Sequence, residues 1–188
     1  IYHKYKCDNF LYGEKYMNVI DIERENLNSL KFNIKFMREE EGIPQKEIAK
    51  KLGVSRSTYS LWELEINIIP LPRLIELCKI YHCSIDYILK LNETKRYPHM
   101  KEDIDFNLHQ KRLKEIRKEH KYTQAKIAKI LNTDNGVISR YESGKTLILT
   151  SFLIEYTKIF NISADYLLGK INDKIIIKKS IMNKNFNF

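Results

Sequence analysis

Glycine and proline are scarce in this chain of 188 residues, which contains six glycines and four prolines. An all-β sandwich or barrel needs many more residues of these types at its turns, so the composition favours helices. Long apolar runs are also missing, and no stretch approaches the roughly 18 residues of a membrane-spanning helix. We therefore expect a soluble, helical protein that makes no use of a membrane.

Cysteine is rare, and Cys7, Cys78 and Cys83 make an odd number. No signal-peptide pattern is found, so we expect a reduced, cytoplasmic protein without a disulfide framework. Cys78 and Cys83 flank His82, but no second pair of ligands lies nearby, and structural zinc needs four. Both thiols are expected in the core, and no metal is expected.

Motifs for catalysis are missing too. The sequence has no Gly-rich phosphate loop, no His-Glu-x-x-His helix and no nucleophile elbow. The run from Glu39 to Glu41 offers neighbouring carboxylates, but such a run at a helix end is typical of a solvated charge cluster. We expect a protein that is not an enzyme and that has no cofactor.

Positive charge is what the chain has in excess, since 33 Lys and Arg against 24 Asp and Glu give a net charge of +9. A basic balance of this size indicates nucleic acid or another anionic partner. The charge is uneven: residues 30–90 carry 10 basic and 8 acidic side chains, residues 109–169 carry 11 and 6, and residues 170–188 carry 5 and 1. Attraction to an anionic partner is therefore expected mainly in the C-terminal half.

The chain repeats itself at an offset of 79 residues without a gap. Of the 45 positions in residues 45–89, 17 are identical to those in residues 124–168, where chance would give about three. Two copies of one long period cannot build a solenoid, which needs at least about three repeats. We interpret the pattern as two tandem domains of one fold.

Both copies carry the signals of five short helices. Helix 1 is expected after the N-cap residues Asn28 and Asn107, and helices 4 and 5 of the first copy at about residues 72–81 and 84–89. Asp86 is expected to favour the N-terminal dipole of its own helix. Helix 2 opens at an equivalent Gln, and helix 3 follows a capping Ser or Asp and ends near an equivalent Glu. These positions are Gln45 and Gln124, Ser55 and Asp134, and Glu63 and Glu142.

Two segments carry a specific resemblance. Residues 45–63 (QKEIAKKLGVSRSTYSLWE) and 124–142 (QAKIAKILNTDNGVISRYE) resemble the helix-turn-helix of the phage-repressor and Cro-like family. The stretches ending in Ser-Ile-Asp-Tyr-Ile-Leu89 and Ser-Ala-Asp-Tyr-Leu-Leu168 resemble its fifth helix. The resemblance implies an all-α chain of two tandem five-helix lambda-repressor-like DNA-binding domains. It also implies a transcriptional regulator, a repressor that binds specific double-stranded DNA.

By the same resemblance, DNA contacts fall at the start of helix 2, on the exposed face of helix 3 and in the turn after it. Gln45, Gln124 and Lys145 are expected at phosphates. Because Arg reads guanine and Asn reads adenine, Arg56, Asn135 and Arg140 are the expected base contacts. The complete predicted set is Gln45, Ser55, Arg56, Ser57, Thr58, Ser60, Gln124, Asn135, Gly136, Ser139, Arg140 and Lys145.

Other residues of the two helix-turn-helix segments have structural roles. Arg38 with Glu63, and Arg117 with Glu142, match positions that form a partly buried ion pair in the family, and such a pair fixes helix 3. The apolar residues at helical spacing are expected in the core. In the first copy these are Ile48, Ala49, Leu52, Tyr59 and Trp62.

The first copy departs from the family pattern. Leu61 stands where the second copy has Arg140, and residues 64–67 (LEIN) replace the Ser-Gly-Lys-Thr turn. One interpretation is an exposed apolar patch formed by Leu61, Leu64, Ile66 and Ile68, which marks an interaction surface. The other is that residues 68–71 pack on helix 4.

The resemblance divides the chain into domains at residues 28–90 and 107–169, with a polar linker at 91–106 and a basic tail at 170–188. The tail is expected to extend the last helix, to form a short strand or to act as a basic arm. We expect residues 1–27 to be an N-terminal leader, and we hypothesise that translation begins at Met17. A purine-rich coding stretch for residues 13–16 would provide the start signal.

The linker is long enough for both domains to engage one DNA molecule. Extended, it reaches at most roughly 55–60 Å, and half-sites on one face of DNA lie about 34 Å apart. One chain can thus act as an intramolecular pseudo-dimer on an asymmetric operator, and a homodimer is the other arrangement. The alternative function is an antitoxin or an adaptor whose first domain binds a protein partner.

Overall fold

The structure, a computed structural model, describes residues 32–177. Within them the chain forms ten α-helices, five in each repeat, so the predicted all-α fold of two tandem five-helix domains is confirmed. None of these ten helices is long and apolar enough to cross a membrane. The first repeat contains α1 (Ile34–Glu40), α2 (Gln45–Lys51), α3 (Arg56–Glu63), α4 (Leu71–Ile80) and α5 (Ile85–Ile88). The second contains α6 (Phe106–Glu119), α7 (Gln124–Ile130), α8 (Asn135–Glu142), α9 (Thr150–Phe160) and α10 (Ala164–Leu167).

Side-chain caps at equivalent positions begin the third and fifth helix of each repeat. Ser55 and Asp134 each accept a hydrogen bond from the backbone N–H three residues ahead, at the start of α3 and α8. Ser84 and Ser163 do the same at the start of α5 and α10. Because each bond satisfies a backbone donor that the helix itself leaves unpaired, these four residues fix where the helices begin.

The first helix of each repeat begins differently from the prediction. Asn107 is not an N-cap, because it lies inside α6. The cap is Asp105, whose carboxylate accepts the N–H of Leu108 at 3.0 Å. A charged acceptor at the positive end of the helix dipole is stronger than the amide of Asn107, so the helix starts two residues earlier than predicted. In the first repeat α1 follows Asn33, and the other predicted cap, Asn28, lies outside the described residues.

Apolar side chains of both repeats are buried. The residues predicted for the core of the first copy are all buried, and Tyr59 and Trp62 are 0% and 3% exposed. Cys78 and Cys83 are buried free thiols, as expected. In the part of the chain that the structure describes, no group of three or more His, Cys, Asp or Glu is placed to hold a metal ion.

The segment between the repeats is folded against them, and it differs in this from the extended tether that the linker prediction allowed. Tyr97 and Met100 are 7% and 6% exposed and form a small apolar cluster with Ile171 of the second repeat. The backbone N–H of Lys101 donates to the carbonyl of Lys170 at 2.8 Å. These contacts hold the segment against residues that follow the second repeat. On its other side the hydroxyl of Tyr97 donates to Asp86 of the first repeat at 2.9 Å, so the segment bonds to both sides.

Residues 170–177 run back along the second repeat. Ile176 forms an isolated antiparallel β-bridge with Ile162, and the N–H of Ser163 donates to the carbonyl of Ile175 at 3.0 Å. Of the three forms considered for the tail, its described part is a short extended segment and does not continue α10. The rest of the tail, the leader and Met17 lie outside the described residues.

Candidate nucleic-acid interface

The second and third helices of each repeat form a tight pair. Ala49 on α2 and Ala128 on α7 are 2% and 4% exposed, and their small side chains let the helices approach closely. The turn between the helices uses Gly53 (φ +63°) in the first repeat and Asn132 (φ +48°) in the second. These residue types adopt a left-handed backbone most readily, which explains why a sharp turn forms here.

An ion pair, half-buried in the first repeat and buried in the second, fixes the third helix in both repeats. Arg38 holds Glu63 through two bonds, Nε to Oε1 at 2.5 Å and Nη2 to Oε2 at 3.1 Å. Arg117 holds Glu142 in the same way, at 2.5 and 2.8 Å. The remaining guanidinium nitrogen donates to a carbonyl of the turn before the second helix, Ile43 in one repeat and Tyr122 in the other. One arginine thus joins three parts of each domain.

The electrostatics of the pair follow from burial and from these bonds. Burial alone would raise the pKa of Glu63, but the hydrogen bonds from Arg38 and Gln45 outweigh it and lower the pKa below its ordinary value. The bond to Glu63 raises the pKa of Arg38, and the bond to Glu142 raises that of Arg117. The Arg38–Glu63 pair therefore stays ionised near neutral pH.

Gln45 and Gln124, the predicted phosphate contacts, are bound to the same glutamates. The side-chain nitrogen of each donates to Oε2 of Glu63 or Glu142 at 2.8 Å. An amide nitrogen carries two hydrogens, so a second donor remains for a ligand. In the second repeat this amide borders a surface depression lined also by Thr123 and Asn135. Thr123, which the sequence analysis did not identify as a cap, holds the start of α7 by accepting the N–H of Lys126.

The exposed faces of α3 and α8 carry the predicted base contacts. In the second repeat Asn135, Ser139 and Arg140 are exposed and Gly136 is half-buried. In the first repeat the exposed members of the predicted set are Ser55, Arg56 and Ser57, and the half-buried ones are Thr58 and Ser60. The structure brings each set together on one helix. Their contact with DNA remains a prediction.

Gly136 and Arg140 are neighbours along α8. A Cβ atom at Gly136 would lie 3.5 Å from Nη1 of Arg140 and 2.8 Å from Oδ1 of the capping Asp134. The guanidinium therefore lies back over the first turn of the helix, in space that a larger residue would restrict. The first repeat has Ser57 and Leu61 at these two positions, so α3 offers no cation there.

The turn after the third helix is tied down differently in the two repeats. Gly144 (φ +69°) has no side chain, and the amide of Gln110 occupies the place of its Cβ. This contact joins the turn that carries Lys145 to α6. The first repeat has Glu65 at φ +60° instead, and its carboxylate accepts the N–H of Phe32 at 3.0 Å.

The apolar stretch at residues 61–71 was predicted either to form an exposed patch or to pack on the fourth helix, and the structure shows some of each. Leu64 and Ile66 are 63% and 53% exposed, whereas Ile69 and Leu71 are buried at 0% and 2%. Leu61 and Ile68 are half-buried. The end of the stretch therefore joins the core, and Leu64 and Ile66 form the exposed part.

Asp86 lies in the first turn of its own helix, as expected, but its hydrogen bonds go to the other repeat. Its carboxylate accepts the N–H of Ala164 at 2.7 Å, at the start of α10 in the other repeat. Asp165 accepts the N–H groups of Ile85 and Asp86 at the start of α5. The one available signal was that both aspartates fall on equivalent positions of the repeat, which does not reveal a contact between repeats.

Comparison with known proteins agrees with this geometry. A family model described as Helix-turn-helix matches residues 34–88 and 113–167. The HTH-type transcriptional regulator ImmR of Bacillus subtilis (strain 168) is 38% identical over 77 residues, which cover 41% of this chain and 61% of the relative. The uncharacterized HTH-type transcriptional regulator YobD of the same strain is 31% identical over 80 residues, 43% of this chain and 63% of the relative.

The chain thus spans about three fifths of the length of these two relatives. No solved structure matches it. Each family match contains one of the two helix pairs that the Arg–Glu–Gln contacts hold in the same geometry. The predicted resemblance is confirmed in both repeats, and the chain belongs to the helix-turn-helix family of DNA-binding domains.

Proposed function

We propose that the chain is a sequence-specific, double-stranded DNA-binding transcriptional regulator, a repressor that acts by occupying promoter DNA. The observation that carries the proposal is the pair of complete helix-turn-helix units with the same Arg–Glu–Gln network. The names of ImmR and YobD as transcriptional regulators support it. A regulator of this kind works beside the bacterial chromosome, so we propose a cytoplasmic protein without enzymatic activity.

The two repeats have unequal shares in the proposed binding. Arg140 and Asn135 of α8 read guanine and adenine in the major groove, and Lys145 holds a phosphate. Arg56 is the corresponding base contact of α3. The net charge of +5 in residues 109–169, against +2 in residues 30–90, supports a stronger attraction of the second repeat to DNA.

One chain provides both halves of the proposed complex. The repeats contact each other through α5, α10 and the folded segment between them. They therefore present α3 and α8, which we call the recognition helices, as the two halves of an intramolecular pseudo-dimer. Because α3 and α8 carry different side chains, the operator has two unlike half-sites. A palindromic operator is the expectation for a symmetric homodimer.

The test is selection of duplexes by the full chain from a random pool, followed by footprinting of one chain on the enriched site. We expect a site with two unlike halves, bound more weakly as salt concentration rises. Failure to enrich any sequence would contradict specific DNA binding. A perfect inverted repeat would contradict the intramolecular pseudo-dimer and support a homodimer.

A second function has one observation in its favour, the exposure of Leu64 and Ile66. Exposed apolar side chains beside a recognition helix fit an antitoxin or adaptor whose first domain binds a protein. The second repeat has Ser143 and Lys145 at these positions, so Leu64→Ser with Ile66→Lys is the matched variant. A defined partner that co-purifies with the full chain and is lost from this variant, while DNA binding persists, would support the adaptor function.

A further inference from the structure

The short helices α5 and α10 meet at the contact between the repeats, and an aspartate of each helix accepts backbone hydrogen bonds from the start of the other. Asp165 accepts the N–H groups of Ile85 and Asp86 at 3.1 and 2.8 Å. In return Asp86 accepts the N–H of Ala164 at 2.7 Å and the hydroxyl of Ser163 at 2.5 Å. Since residues 86 and 165 are equivalent, the contact is reciprocal, as in the isologous interface of a two-fold dimer. The chain therefore contains a pseudo-two-fold interface.

This carboxylate pair, Asp86 and Asp165, is fully buried, and both residues are 0% exposed. Neighbouring segments complete its environment. The hydroxyl of Tyr97 donates to Asp86 at 2.9 Å. The buried Lys170 donates to the carbonyl of Glu102, and its charge acts to lower the pKa of Asp165. Burial nevertheless raises the pKa of both aspartates, and repulsion from Asp165 adds to the rise at Asp86.

The hydrogen bonds of Asp86 and Asp165 favour one relative orientation of the two repeats. If the two repeats slid or rotated against each other, backbone donors at the starts of α5 and α10 would lose their acceptors while still shielded from water. A buried backbone donor without an acceptor is destabilising, so intermediate orientations of the two repeats are unfavourable. An apolar contact alone is non-directional and would impose no comparable restriction.

The orientation of these short helices is transmitted to the DNA-facing side. In the second repeat α10 contacts α6, which in turn contacts the recognition helix α8. In the first repeat α5 contacts α4, and the N–H of Asn33 at the start of α1 donates to the carbonyl of Ile88 at 2.9 Å. Arg38 of α1 then holds α3 through Glu63. A series of direct contacts therefore connects the α5–α10 contact with both α3 and α8.

We propose that Asp86 and Asp165 are positioning residues for DNA binding, which fix the two recognition helices in one relative orientation so that the chain accepts two half-sites at a single spacing. The inference rests on the proposed DNA-binding function. Neither aspartate contacts DNA in this arrangement, and their effect is confined to DNA that engages both repeats. A site that engages one repeat does not depend on them.

The experiment compares three duplexes derived from the site that the full chain selects: the full site, one half-site beside scrambled sequence, and the full site with five base pairs inserted between its halves. The insertion rotates the halves by about half a turn of DNA. We expect the unaltered chain to bind the full site about 100-fold more tightly than the half-site. The insertion is expected to remove most of that advantage.

The test variant is Asp86→Ala with Asp165→Ala, and Glu93→Ala with Asp173→Ala is the matched control, because both of the latter carboxylates are exposed. We expect the test variant to bind the half-site within twofold of the unaltered chain. Its affinity for the full site is expected to fall at least about tenfold, and the insertion is expected to have no further effect. The control is expected to keep its preference for one spacing.

Asp86→Asn provides the conservative variant. Its amide oxygen still accepts the N–H of Ala164, and its amide nitrogen donates to the hydroxyl oxygens of Ser163 and Tyr97, which accept as well as donate. We expect Asp86→Asn to retain the preference for one spacing. A variant that loses half-site and full-site binding in parallel, or that keeps its dependence on spacing, would overturn the proposal.

A measurement without DNA separates this proposal from the proposed function. Asp165→Ala is expected to speed hydrogen exchange of the Ile85 and Asp86 amides, in the other repeat, more than about tenfold. Exchange of the Trp62 amide, inside α3, serves as the reference and is expected to stay unchanged. If no DNA is selected, the proposed function fails, and unchanged exchange at Ile85 would show independently that the carboxylate pair does not fix the interface.

Discussion

The two repeats share their internal support and differ on the surface that it positions. Arg38 and Arg117 make the same three side-chain bonds, two to a glutamate and one to a turn carbonyl. The recognition helices above them carry Leu61 in one repeat and Arg140 in the other. Since the internal bonds are alike, we expect differences in DNA reading to follow from the exposed side chains and not from the helix geometry.

The largest effect is expected when the Arg–Glu ion pair is broken, and it tests whether this pair contributes equally in the two repeats. Arg38→Ala and Arg117→Ala each leave a buried glutamate without its cation, so each is expected to lower the free energy of unfolding by about 3–5 kcal/mol. Unfolding in urea at neutral pH measures it. Lys51→Ala, which breaks an exposed ion pair with Glu47, is the control and should cost under about 1 kcal/mol. A large loss in only one arginine variant would show that the repeats are supported differently.

A second prediction concerns how the stability of the chain depends on pH through Asp86, one of the two equivalent aspartates. Burial raises the pKa of Asp86 to about 8 in the folded chain, from an ordinary value of 3.8. Between these values only the folded chain holds the proton, so stability falls as pH rises through this window. The slope is at most about 1.4 kcal/mol per pH unit. Asp86→Asn should lack this contribution.

Unfolding of the unaltered chain and of Asp86→Asn at a series of pH values measures the difference. His109, whose pKa burial lowers to about 4, is present in both proteins and cancels. The difference in unfolding free energy should change in favour of the variant from about pH 4 to about pH 8 and level off above. A constant difference across this range would contradict the raised pKa.

The third prediction exchanges the recognition side chains. Arg140→Ala is expected to remove about 1–3 kcal/mol of discrimination at one base pair of its half-site, because a bidentate guanine contact is lost. Leu61→Arg with Ser57→Gly gives α3 the pair found on α8 and is expected to add a preference for guanine in the other half-site. Affinities for single-base variants of the selected site measure both effects. Unchanged base preference in Arg140→Ala would exclude this residue as a base contact.

The smallest expected effect concerns phosphate contacts in the turn after each recognition helix. Lys145→Ala should weaken all DNA sequences alike and make the dependence of log affinity on log salt shallower by about 0.9. Ile66→Lys, at the equivalent position, should make it steeper by about the same amount. Affinities measured over a range of salt concentrations decide this. No change in slope for Ile66→Lys would indicate that the first repeat does not face DNA.

Much of the fold could be predicted because its signals are local. The starts of α3, α5, α8 and α10 follow from caps that bond within one turn, and the cores follow from apolar residues at helical spacing. Asn107 misled the prediction because Asp105, two residues earlier, is a stronger acceptor for the same helix. The folded state of residues 91–105 was missed because Tyr97 and Met100 are isolated apolar residues in a polar stretch, too few to form a periodic pattern.

The candidate site was predictable to a different extent. The family resemblance paired Arg38 with Glu63 and Arg117 with Glu142, as the structure has them. It did not indicate that Gln45 and Gln124 bond to the same glutamates. Two features could not be predicted from the sequence: the short distance between Gly136 and the guanidinium of Arg140, and the left-handed backbone of Glu65. Both depend on side-chain paths and backbone angles that a pattern of residue types does not specify.

The sequence by itself determined two helix-turn-helix domains, where their third and fifth helices begin, and where their charge lies. These properties depend on residues within a few positions of one another, or on a repeat that can be counted. Only the tertiary structure decided what Asp86 and Asp165 do. A carboxylate can accept from any nearby helix start, and the nearest donors belong to a helix 79 positions away, which only the packing of one repeat on the other brings into reach.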